Sequence, residues 1–144
     1  MAAAMSKATV YLEGPKRTQD LLNIKWALRS AGYTIASSWH DADATPRIRA
    51  EDHWNSKSVE RILGCDWLVV MCEKDNEVGM ELASLAGFAL ARGMRVTWIG
   101  PEVRSLATFR AVQQFDTAEE FRKNILTQMY LRPALASTSE RVAA

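Results

Sequence analysis

Residues 67–72, WLVVMC, are an unbroken apolar run bounded by Asp66 and Glu73. A strand with one wet face alternates apolar and polar residues. A strand with no polar position has both faces covered, which places it inside a parallel sheet with helices on either side. A chain built around such a segment must supply flanking strands and covering helices.

The remaining sequence supplies both. Thr9–Leu12 is β-branched and aromatic and stops at Gly14-Pro15. Leu21, Ile24, Leu28 and Ala31 recur at helical spacing up to Gly32. Tyr33–Ser38 reads as a second strand, and residues 39–49 as a loop with charges, a proline and no period. Trp54, Val59, Ile62 and Leu63 restore helical spacing before the buried run. Gly79–Arg92 reads as a helix apolar nearly all round, Arg95–Ile99 as a fourth strand, and Val112–Phe115 as a fifth. A last helix opens at Thr117, whose spacing to Glu120 is that of a capping box, and runs to about Leu131. The pattern predicts an α/β three-layer sandwich with a five-stranded parallel, flavodoxin-like (Rossmann-like) sheet. It spans residues 8–131, between a disordered extension at 1–7 and a flexible tail at 132–144.

Composition narrows the function. Eighteen basic against 17 acidic residues give a net charge of +1, which excludes a nucleic-acid binder working by bulk charge. No run approaches the roughly 20 apolar residues of a membrane span, and MAAAMSKA lacks the apolar stretch of a secretory signal. The expected location is therefore the cytoplasm. Cys65 and Cys72 lie seven residues apart, roughly 23 Å along an extended strand. That is too far for a disulfide, so both are expected as buried thiols. Five tryptophans are many for 144 residues and need an explanation.

Ligands of open α/β sheets bind beyond the carboxyl ends of the strands. Four loops end there: 13–18, 39–49, 73–79 and 100–105. In the first, Gly14 permits close backbone approach, the following helix start favours an anion, and Lys16 and Arg17 could pair with a phosphate. The same residues also read as an ordinary strand-to-helix turn. In the third, Asp75 and Glu81 bracket Asn76–Met80. Glu81 is the only charge of its helix before Arg92. Complementing the helix dipole explains its position, and a role in a cleft explains its isolation. Trp39 either stacks on a planar ligand or plugs the sheet edge, and plugging suits Trp54 better. His40 and His53 lack metal-ligand spacing and read as surface or substrate-contacting residues, so no metal and no cofactor is expected.

These pieces resemble the nucleoside 2-deoxyribosyltransferase-like superfamily, which includes 2′-deoxynucleoside 5′-phosphate N-hydrolases. Tyr11–Pro15 is similar to its opening YLAGP, and Ile62–Val70 to its strand motif. Val78–Leu82 with Phe88–Gly93 is similar to its glutamate-bearing helix, and Ile99–Glu102 and Phe115–Phe121 look like its smaller members. The resemblance covers residues 9–126. It implies that Glu81 is a nucleophile at the anomeric carbon, that Asp75 handles the leaving base, and that residues 14–18 cradle a sugar or phosphate. Gly14, Pro15, Lys16, Arg17, Trp39, Ser58, Gly79 and Met80 are then the substrate-binding candidates. A nucleoside or nucleotide is the expected ligand, and a homodimer or higher homo-oligomer the expected assembly. The sequence departs from the pattern at Ser58, where the family carries an aspartate that orients the sugar, and at Leu82–Ser84, where a second glycine is altered. The first departure supports a second reading, a catalytically idle nucleotide-binding or sensor module. A redox or phospho-receiver domain of the same fold fits less well, because its acidic cluster is reduced to Glu13.

Overall fold

A computed structural model describes residues 8–14, 17–45, 56–72, 79–103 and 112–129. Five strands, β1 (Thr9–Glu13), β2 (Thr34–Ile35), β3 (Trp67–Met71), β4 (Arg95–Ile99) and β5 (Val112–Phe115), form one sheet in the order β2-β1-β3-β4-β5. Every pairing is parallel. Among the described residues four helices cover it: α1 (Gln19–Ser30), α2 (Ser56–Leu63), α3 (Gly79–Ala91) and α4 over residues 118–129. This is the flavodoxin-like arrangement anticipated from the sequence.

All five residues of β3 are buried. Trp67, Val69 and Met71 pack into a cluster with Leu21, Ile24 and Leu28 of α1 and Phe121 and Ile125 of α4. Leu68 and Val70 point the other way, into a cluster with Ile62 of α2 and Leu82, Ala86 and Ala89 of α3. The two cores are the two faces of the sheet, and β3 feeds both. Cys65 and Cys72 are buried, with no disulfide between them.

Local chemistry sets the helix boundaries. The Thr18 hydroxyl accepts from the Leu21 amide at 3.2 Å and opens α1. At α4 the Glu120 amide donates to Thr117 Oγ1, and the Glu120 carboxylate reaches back to the Asp116 amide, both at 3.2 Å. The return bond thus lands one residue earlier than in an ideal capping box. Among the described residues no helix is long and apolar enough to cross a membrane.

Three of the tryptophans have structural uses. Trp67, Trp98 and Trp39 are each at most 3% exposed, and every indole N–H is satisfied. The acceptors are Thr97 Oγ1 at 2.9 Å, Pro101 O at 2.8 Å and Leu12 O at 2.9 Å. A buried indole needs such a partner, and these bonds fix the ring orientations. Trp26 lies 60% exposed on α1, and Trp54 falls outside the described residues, as do 1–7 and 132–144.

One expectation is corrected. The second strand is the dipeptide Thr34–Ile35 rather than Tyr33–Ser38. Ala36 still donates to Val10 O at 2.8 Å, but beyond it side chains replace the ladder. The Leu12 amide donates to Ser37 Oγ at 3.0 Å, and the Leu12 carbonyl accepts from the Trp39 indole. The edge of β1 is satisfied without a longer strand.

Gly100 has φ of +138°, and a Cβ there would lie 2.2 Å from Cys72 O. Gly100→Ala must displace the end of β3, so we expect a loss of about 3 kcal/mol or more, measured by denaturant unfolding. Wild-type stability in that variant would contradict this packing.

Candidate functional site

The order β2-β1-β3-β4-β5 fixes where a site can form. From β1 the chain leaves through α1 toward one edge, and from β3 it leaves through α3 toward the other. α1 packs on one face and α3 on the opposite face. The crevice between the carboxyl ends of β1 and β3 is therefore the topological switch point. One glycine, Gly14, borders it. A Cβ on Gly14 would come within 3.1 Å of Met71 O, so the chain after β1 presses directly on the end of β3. Gly100 does the same from the β4 side.

A cavity of about 630 Å³ opens at this carboxyl edge. Its floor is Met71, Cys72, Ile99 and Gly100, and its rim carries Asp20 and Asp116 at the starts of α1 and α4. That volume lies within the range of small-molecule sites. Carboxylates on the rim can accept hydrogen bonds from hydroxyl or amino groups of a ligand.

Gly79, Met80 and Glu81 are the first three residues of α3, and Ser58 is the third residue of α2. Both helices cover the same face of the sheet, the one reached by Tyr11 and Val70. The side chains of Ser58, Met80 and Glu81 lie outside the described residues, as do Pro15, Lys16, Asp75 and His53. Gly14 borders the crevice, whereas Arg17 is committed sideways: its Nε donates to His40 O at 2.8 Å, tying the first loop to the loop after β2.

Of the two uses open to Trp39, the structure shows the sheet-edge plug. It packs with Leu12 and Leu21 beneath α1. Of the two placements read for His40, surface or substrate-contacting, the surface one is corrected: the residue is wholly buried. The His40 ring meets Trp39 edge-on, with centroids 5.2 Å apart. Its Nε2 lies 2.8 Å from Ser37 Oγ, and its Nδ1 lies 3.6 Å from Asp41 Oδ1. Lys25, 8% exposed at its side chain, donates to the same Asp41 oxygen. Serine, histidine and aspartate thus stand in the order of a hydrolytic triad, but Ser37 is 2% exposed and its oxygen accepts from the Leu12 amide. The arrangement is a structural clamp that joins β1, α1 and the loop after β2.

Sequence reasoning missed this clamp. One signal was present: Lys25 lies four residues after Leu21 and three before Leu28, on the apolar stripe of α1. A cation at that position needs a partner. Asp20 and Asp116 were also missed as cavity residues, since each reads from sequence as a helix-start acid.

The fold and site place the described residues in the flavodoxin-like class of α/β proteins. No protein-family model matches the chain, and no curated protein does. Among solved structures, the methanol:cobalamin methyltransferase complex MtaBC from Methanosarcina barkeri is similar, with a TM-score of 0.50 at 11% identity. The match covers 87% of this chain and 47% of that one, so the chain spans about half the length of that relative. At this identity the likeness is one of fold.

Removing the Ser37 hydroxyl leaves the buried Leu12 amide without its acceptor. Ser37→Ala is expected to lose about 1–3 kcal/mol in denaturant unfolding, and Trp39→Phe a similar amount through the Leu12 carbonyl. Unchanged stability in both variants would remove the clamp from this account.

Proposed function

We propose that the protein cleaves the N-glycosidic bond of a nucleoside or nucleoside 5′-monophosphate and passes the glycosyl group to water or to a second base. The observation that carries this reading is the position of Glu81. It is the third residue of α3, a helix that follows the central strand β3 and starts at the carboxyl edge beside the switch point. The resemblance of Val78–Gly93 and Tyr11–Pro15 to the deoxyribosyltransferase-like pattern supports the same assignment. The cavity has the volume of a small-molecule site, and its carboxylates Asp20 and Asp116 stand at the starts of α1 and α4, across the strand ends from the start of α3.

In this reading the Glu81 carboxylate attacks the anomeric carbon. The electron pair of the breaking C–N bond leaves with the base, which takes a proton from the Asp75 carboxyl. A glycosyl ester on Glu81 results. Water or a second base then attacks the same carbon, giving its proton to Asp75, and the ester bond breaks to restore Glu81. Gly14, Pro15 and Lys16 form the cradle for the sugar or phosphate, and Arg17, whose Nε is held by His40 O, anchors that loop and offers its remaining guanidinium N–H groups. Gly79 and Met80 bring the backbone of the α3 start to the ligand, and the expected partner is a second copy of the chain.

A second reading, an idle nucleotide-binding or sensor module, is favoured by Ser58 at the position where the resembled family has an acid. The two separate in one experiment. A panel of deoxynucleosides and their 5′-monophosphates is incubated with the protein and released base is measured by chromatography. The enzyme reading expects release with at least one substrate. It also expects a loss of about a thousandfold or more in Glu81→Ala, with no change in Glu119→Ala, whose carboxylate sits exposed on α4 against Arg122. Stabilisation by a nucleotide without any release, following RT ln(1 + [L]/Kd), supports the idle module and overturns the enzyme.

A further inference from the structure

Glu13 is the last residue of β1 and lies in register with Val70 of β3, so it stands at the switch point itself. It is wholly buried, in a strand whose other inward positions are apolar or aromatic. Its Oε1 accepts from the Gly14 amide at 3.2 Å. Alternation along β1 sets its side: Val10 and Leu12 enter the α1 core and Tyr11 the opposite one. Glu13 therefore shares the face of Tyr11, and Gly14 returns to the α1 face, where its nearest side chains are Leu21 and Met71. The face of Glu13 is the one covered by α2 and α3. Both helices begin at the carboxyl edge, with Ser58 in the first turn of α2 and Glu81 in the first turn of α3.

Three separate elements thus bring Glu13, Ser58 and Glu81 to one face of one edge. Space at the end of β1 could be filled by an apolar residue, as Val70 fills the register position beside it. A buried carboxyl carries a desolvation cost that an apolar residue avoids, and such groups concentrate at functional sites. We infer that Glu13 is a positioning residue for Glu81: a buried carboxyl at the switch point that holds the start of α3 and the nucleophile in their working arrangement. This rests on the reading of Glu81 as the nucleophile.

The test compares kcat, KM and melting temperature for the wild type, Glu13→Gln, Glu13→Ala, Glu13→Asp and Glu81→Gln on the best substrate of the panel. Glu13→Gln retains volume and an acceptor for the Gly14 amide. It is expected to melt within about 3 °C of the wild type, and to lose about tenfold or more in kcat with KM within about threefold. Glu13→Asp, which keeps the acid, is expected to recover most of that loss. A Glu13→Gln protein with wild-type kcat overturns the inference. So does a loss that follows the fraction unfolded, with the rate per folded molecule unchanged, because Glu13 is then structural only. If the wild type releases no base, the nucleophile reading falls first. If the wild type is active, Glu81→Gln is dead and Glu13→Gln is normal, only the role of Glu13 falls.

Discussion

The burial of β3 on both faces is the constraint on which the rest of the molecule depends. A strand with Trp67, Val69 and Met71 on one side and Leu68 and Val70 on the other cannot lie at an edge or against water. It requires hydrogen-bonded strands on both flanks and helices above and below. Truncating any one of these side chains to alanine would cost about 2–5 kcal/mol, a large part of the stability of a domain this size. The parallel order and the helix on each face follow from meeting that demand with short connections.

The same demand creates the site. Helices must leave β1 and β3 toward opposite edges, so their first turns diverge and a crevice opens between the strand ends. The backbone presses on the end of β3 from both sides: at Gly14, beside that crevice, a Cβ would be tight, and at Gly100, on the β4 side, it would collide. Chemistry is thereby confined to residues delivered by loop ends and helix starts. Glu13, Gly14, Asp20, Asp116 and the first turn of α3 all occupy that edge. The opposite edge is occupied by structural contacts such as the Thr9 amide on Asp66 and the Arg95 guanidinium 3.8 Å from the centre of the Trp67 ring.

How much of this could be read from sequence depends on how local the determining forces are. The β3 run and the period of α1 are local and appear as anticipated, and the equally local Thr117–Glu120 cap forms with its return bond shifted to the Asp116 amide. The short β2 is not local. Its continuation is replaced by the Ser37 hydroxyl and the Trp39 indole serving the backbone of Leu12, 25 and 27 residues away. His40, read as a surface or substrate-contacting residue, is buried because the loop it shares with Ser37 and Asp41 is tied to β1 through Leu12 and to α1 through Lys25. Trp39 was ambiguous until the position of Leu12 was known. Glu81 as a nucleophile rests on the resemblance and belongs to the proposal, while the carboxyl edge as the place of a cavity was legible from the strand pattern. The burial of Glu13 was not, because a glutamate before glycine reads as the polar end of a strand.

The central claim is that the first turn of α3 delivers a nucleophile to the switch point. It is tested most directly by quenching the protein in acid during turnover of a deoxynucleoside and analysing its peptides by mass spectrometry. The account predicts one added glycosyl group, esterified to Glu81. A glycosyl group on another carboxylate, such as Asp20 or Asp116, or base release with no glycosylated peptide at any time point, would contradict it.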